Sequence, residues 1–81
     1  MNMNTKEKVR LIARVFLAVN KGKRFTGKQI CEFINSNKLG VRGGVNTQML
    51  GALLDKNYCY AYHISRKRAN GRNIWYYSVV D

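Results

Sequence analysis

Eighty-one residues make one small domain, which at this size buries about 60–65% of the surface its unfolded chain exposes. Fifteen Lys and Arg against four Asp and Glu leave a net charge of +11, while 46% of the residues are apolar and nine are aromatic. That balance excludes a multidomain enzyme, an acidic nucleic-acid mimic and a disordered basic tail, and leaves a folded cationic module whose natural partner is a polyanion.

The spacing predicts a first helix over residues 5–20. Thr5 is placed to cap it, and Val9, Ile12, Ala13, Phe16 and Val19 recur on one face. Leu11, Val15 and Ala18 widen the apolar side past half the circumference, more than one small core needs, so either the helix is sandwiched inside the domain or this stripe meets a second copy. Asn20-Lys21-Gly22-Lys23 is a stop signal, and Arg24-Phe25 a short extended piece. Thr26-Gly27-Lys28-Gln29 matches a capping box and opens a second helix, expected over residues 27–38, with Ile30, Phe33 and Ile34 turned to the core. Cys31 reads as a small hydrophobe on it.

Residues 39–45, with Gly40, Gly43 and Gly44, form a turn. A third helix is expected from Asn46 or Thr47 to Asn57, carrying Met49, Leu50, Leu53 and Leu54 inward and Thr47, Gln48, Gly51, Ala52 and Asp55 outward. The period then changes. Residues 58–66 and 72–80 are rich in aromatic and β-branched types and flank Asn70-Gly71, the pattern of a β-hairpin. A two-residue loop there sets Arg66 opposite Trp75, Ile64 opposite Tyr77 and Tyr62 opposite Val79. Tyr60, Tyr62, Ile64, Trp75, Tyr77 and Val79 then share a core face, with Arg66 in a cation–π pair over Trp75.

Thr26-Gly27-Lys28-Gln29-Ile30 opens the second helix, Leu50-x-x-Leu53-x-x-x-Asn57-Tyr58 closes the third, and Arg66-Lys67-Arg68-Ala69-Asn70-Gly71-Arg72 supplies a basic hairpin. With these pieces in this order the chain resembles the winged helix-turn-helix family. The resemblance spans residues 5–80 and rests on element order and charge placement rather than on one diagnostic motif. It implies an α+β fold, a small winged helix of three helices, a short strand and a C-terminal β-hairpin wing. It also implies double-stranded DNA as partner, with the third helix in the major groove and the wing along the backbone or minor groove. The connection between the second and third helices, about seven residues, exceeds the three or four of a tight helix-turn-helix.

The residues speak to that chemistry independently. Asn46, Thr47, Gln48, Gly51 and Ala52 form the candidate recognition surface: Gln pairs bidentately with adenine, and Gly51 and Ala52 add no bulk that would hold the backbone away. Asp55 would repel phosphates, so the first turn is the part expected to enter the groove. Arg66, Lys67, Arg68, Asn70 and Arg72 form the candidate wing. A charge run is ordinarily a solvated face, but here four cations crowd a hairpin tip where nothing in the fold requires them. Arg24, Lys28, Lys38 and Arg42 are candidate phosphate contacts, and neutralising five or six phosphates gives a salt slope of about −5.

Other chemistries find little footing. Glu7, Glu32, Asp55 and Asp81 are scattered, and His63 has no nucleophile arranged around it, so no enzyme is expected. Cys31, Cys59 and His63 lack metal-ligand spacing, and neither metal nor cofactor is expected. The stretch from Leu11 to Leu17 is cut by Arg14 and lacks a following cleavage site, and no run approaches the ~18 residues of a membrane span. The expectation is a cytoplasmic, nucleoid-associated protein without a ligand-sensing module, a small regulator suiting a phage or other mobile element. Two readings from other classes stay open: an RNA- or ribosome-associated winged domain using the basic hairpin as a clamp, and a protein-interaction module docking through the first helix.

Overall fold

The computed structural model describes residues 4–37, 40–41, 43–69 and 74–79. Among them lie four helices, α1 (Thr5–Val19), α2 (Gly27–Ser36), α3 (Thr47–Leu53) and α4 (Lys56–Ala61), and three strands, β1 (Phe25–Thr26), β2 (Ile64–Arg68) and β3 (Trp75–Val79). The strands form one antiparallel sheet in the order β1-β3-β2. This is a small α+β fold.

Each helix starts at a side chain that satisfies an orphan N–H group. Asn4, not Thr5, caps α1 by accepting from the Glu7 N–H at 2.8 Å. Thr26 and Gln29 close the expected capping box on α2, bonding reciprocally at 3.1 and 2.8 Å. Asn46 caps α3 and Asp55 caps α4. Helix α1 ends where the Asn20 side chain returns to the Phe16 carbonyl at 2.8 Å, and Gly22 follows at φ +88°, where a side chain would be strained. Helix α2 stops at Ser36 rather than Lys38, with Asn37 binding back to Phe33.

The core is built from Val9, Ala13 and Leu17 of α1, Ile30, Cys31 and Ile34 of α2, Val45, Leu50, Leu53, Leu54, Cys59, Ile64 and Tyr77. Phe16 joins Phe25 and Phe33 at its margin, with ring centroids 4.6 and 4.4 Å away. Leu17 takes the place expected of Val19, which is 78% exposed.

The chain departs from expectation between residues 54 and 63. The third helix ends at Leu53 instead of Asn57, and residues 56–61, of which 56–57 are expected from the sequence to close that helix and 58–61 to begin a strand, form α4. Asp55 therefore does not lie on the outward face of α3. Its carboxylate caps α4 and stands 3.9 Å from the Arg10 guanidinium, whose Nε–H donates to the Leu53 carbonyl at 2.9 Å. Tyr60 and Tyr62 accordingly leave the sheet face: Tyr60 is 87% exposed, and Tyr62 packs on Tyr58 with Arg14 4.0 Å over its ring. His63, at φ +58°, then turns the chain into β2 in the geometry glycine usually supplies after a helix.

The hairpin register also differs. Arg66 faces Tyr77, Arg68 faces Trp75 and Ile64 faces Val79, two residues from the expected pairing. Closure by the Ala69 N–H on the Ile74 carbonyl at 2.8 Å goes with the offset, and the expected Asn70-Gly71 turn lies outside the described residues. An even shift keeps every side chain on its face. Ile64, Arg66, Trp75, Tyr77 and Val79 still share one side, and Arg66 still sits over Trp75, 4.2 Å from its centroid, now as a diagonal pair.

Candidate nucleic-acid interface

Helices α2 and α3 both begin beside the sheet. A Cβ built on Gly27 would meet the Tyr77 ring at 3.7 Å and Thr47 at 3.9 Å, so the starts of the two helices and the centre of β3 converge on one point. There they enclose a cleft of about 700 Å³ lined by Thr26, Gly27 and Lys28 of the α2 start, Thr47, Gln48 and Gly51 of α3, and Arg66, Ile74, Trp75 and Tyr77 of the hairpin. Burial falls along the hairpin away from the core. Ile64 and Tyr77 are buried, Arg66 and Trp75 half-buried, and Arg68 and Ile74 exposed. The apolar inner face of the sheet thus runs past the helices and overhangs the cleft.

The asparagines set this geometry. Asn35 uses both ends of its amide on Val45, donating to the carbonyl at 2.9 Å and accepting the N–H at 2.8 Å. That pair pins the turn after α2, where Gly40, Gly43 and Gly44 take positive φ. The next residue, Asn46, accepts the Met49 N–H at 2.7 Å, which leaves Thr47 and Gln48 exposed at the cleft. Asn35 carries no pattern that singles it out in sequence, since polar residues at a helix end usually face water.

The predicted residues divide accordingly. Thr47, Gln48, Gly51, Lys28 and Arg66 come together in the cleft. Asn46 serves as the cap and Ala52 is exposed outside the lining. Arg68 shares the Arg66 face by register, with its guanidinium 5.6 Å from the Trp75 centroid. Lys67 pairs with Tyr76 on the opposite face, and Arg24 lies 5.5 Å over the Tyr76 ring, so neither joins the cleft. Asn70, Arg72, Lys38 and Arg42 lie outside the described residues. Among the described residues the positive charge of the hairpin is thus divided between two sides of the sheet.

Among the described residues no carboxylate lines the cleft. Burial pushes the Tyr77 hydroxyl above its usual range, with the Arg66 charge pulling part of the way back, so the floor of the cleft is neutral and its rim cationic. The thiols of Cys31 and Cys59 are raised first by burial, and behave as core hydrophobes. Among the described residues no cluster of His, Cys, Asp and Glu could hold a metal ion, and no helix is long and apolar enough to cross a membrane. No protein-family model, curated protein or solved structure matches the chain.

Proposed function

We propose that this chain is a winged-helix DNA-binding domain, acting as a small transcriptional regulator or nucleoid-associated factor. The observation that supports this most is the convergence of the α3 start with Lys28 and Arg66 on one cleft that, among the described residues, no acid lines. In this reading the first turn of α3 enters the major groove, where the Gln48 amide pairs with an adenine edge and Thr47 contacts a neighbouring base or phosphate. The short α3 removes the objection raised by Asp55: that carboxylate belongs to α4 and faces Arg10. Lys28, Arg66 and Arg68, together with Arg72, which lies outside the described residues, bind phosphates and hold the register. The chain then works as a clamp, the helix on one side of a strand and the hairpin on the other.

The test is competition binding of duplex DNA, structured RNA and single strands, across a range of salt. Duplex preference with a slope of log K against log salt of about −5 is the expected result. Preference for RNA, or a flat salt response, overturns the reading. Gln48→Ala is expected to weaken the preferred site by about 1–3 kcal/mol while leaving affinity for random sequence unchanged.

The proposal extends to a homodimer through Leu11, Val15 and Ala18 on α1. Val15 is 49% exposed and Ala18 is exposed beside it, an apolar stripe of the helix that the fold leaves uncovered. Sedimentation velocity across a concentration series is expected to show a monomer–dimer shift that Val15→Glu abolishes.

A further inference from the structure

We propose that the cleft receives one unpaired nucleobase, stacked on a platform made by Arg66 and Trp75, so that the protein prefers a duplex with an extruded base to a perfect one. The inference rests on the nucleic-acid reading above and deepens it by naming what occupies the space between α3 and the hairpin.

Four features of the cleft select this chemistry. The Arg66 guanidinium lies 4.2 Å from the Trp75 centroid, and a guanidinium stacked on an indole is itself a planar surface to which a base can add. Trp75 continues the apolar face of the sheet beyond the helices, and Ile74, 38% exposed, also lines the cleft, so the cleft offers apolar area that only another apolar face can cover. Opposite them α3 presents Gly51, where a Cβ would still stand 4.0 Å from the Tyr77 hydroxyl, so the helix wall is recessed. The rim adds polar partners: the Gln48 amide, the Thr47 hydroxyl and the Lys28 ammonium line it. A ligand with two apolar faces, a hydrogen-bonding edge and a phosphate close by is a nucleotide whose base has left its stack.

A perfect duplex cannot supply this. Its bases cover one another's faces and present only edges and phosphates, leaving Trp75 and Ile74 against water. A bulged base has already lost most of its pairing and stacking, so little is spent in extruding it, and stacking in the cleft favours the complex.

The test compares a perfect duplex with the same duplex carrying one bulged fluorescent adenine analogue. Trp75 is the sole tryptophan of the chain, so indole emission reports the cleft of the unaltered protein. The expected result is about tenfold tighter binding of the bulged duplex, with the indole and the analogue both quenched, and no indole quenching by the perfect duplex. Trp75→Phe is expected to keep most of the preference and Trp75→Ala to lose it. Equal affinities, or unchanged indole emission at saturation with the bulged duplex, overturn the inference while leaving duplex binding intact. Absence of binding to the perfect and the bulged duplex alike overturns the underlying reading and the inference with it.

Discussion

Asn35 acts on Val45 as a neighbouring strand would, giving and taking one hydrogen bond with a side chain, and so sets where α3 begins. Val45 is 6% exposed, so Asn35→Ala strands its N–H and C=O away from water, and a loss of about 1–3 kcal/mol in urea denaturation is expected. The same variant should weaken duplex binding more than its stability loss explains, because Thr47 and Gln48 lose their fixed start. Gly51 is the converse case. It has helical company and ordinary van der Waals room for a Cβ, so Gly51→Ala is expected to raise stability by up to about 1 kcal/mol in the same measurement. The two thiols give a pH signature. Burial raises both Cys31 and Cys59 above the ordinary thiol range, so the folded state holds these protons more tightly than the unfolded chain does. Their contribution is complete below the unfolded thiol pKa of about 8.5 and is lost as pH rises through the folded values. Calorimetry above that point is expected to show a falling Tm, with a shallower fall when both cysteines are replaced by alanine.

At the scale of elements, α1, α2 and the existence of the hairpin were legible, because their apolar spacing, caps and turn residues all agree. The break between α3 and α4 was not. Leu50, Leu53 and Leu54 followed by Asn57 read as one helix running to a left-handed stop, and three alternating tyrosines from Tyr58 to Tyr62 read as a strand. What decides the matter is a partner 43 residues away in sequence: Arg10 binds the Leu53 carbonyl where α3 ends and faces the Asp55 carboxylate where α4 starts. Local pattern carries no trace of such a contact. The hairpin register failed for a similar reason, since Asn-Gly marks a turn without fixing which residues close it, and closure at Ala69 and Ile74 moved every pair by two. Of the candidate site, the α3 start, Lys28 and Arg66 were legible from type and position. The split of Lys67 and Arg24 onto the far face was hidden in the register. Asp55→Ala tests the junction. It removes an N-cap worth about 1 kcal/mol, whereas the half-exposed ion pair with Arg10 contributes little. A loss near 1 kcal/mol that Asp55→Asn largely restores is therefore expected, since asparagine caps a helix as well as aspartate but cannot pair with Arg10.

The whole molecule carries +11 with few acids to offset it, and among the described residues the Arg10–Asp55 pair is a long one at 3.9 Å. Several cations find ring faces instead, as Arg14 does on Tyr62, Arg66 on Trp75 and Arg24 on Tyr76, an arrangement that accommodates a guanidinium without neutralising it. Folding gathers these like charges into a body with a radius of gyration of 12.0 Å, against roughly 28 Å for an unfolded chain of this length, so they stand much closer to one another than in the unfolded state. Self-repulsion therefore opposes the folded state, and a bound polyanion relieves it. Salt must then act on stability and on binding in opposite directions. Screening weakens the repulsion, so the Tm of the free protein is expected to rise with sodium chloride, while the affinity for duplex DNA falls steeply over the same range as counterion release loses its advantage. The effect on stability should be largest at low ionic strength and level off as the screening length falls below the spacing of the charges. Thermal scans and binding isotherms collected in the same buffers check both limbs. A Tm that falls with added salt would mean that attractive pairs outweigh repulsion, which would place the surplus charge in internal ion pairing and not on a surface kept open for a polyanion.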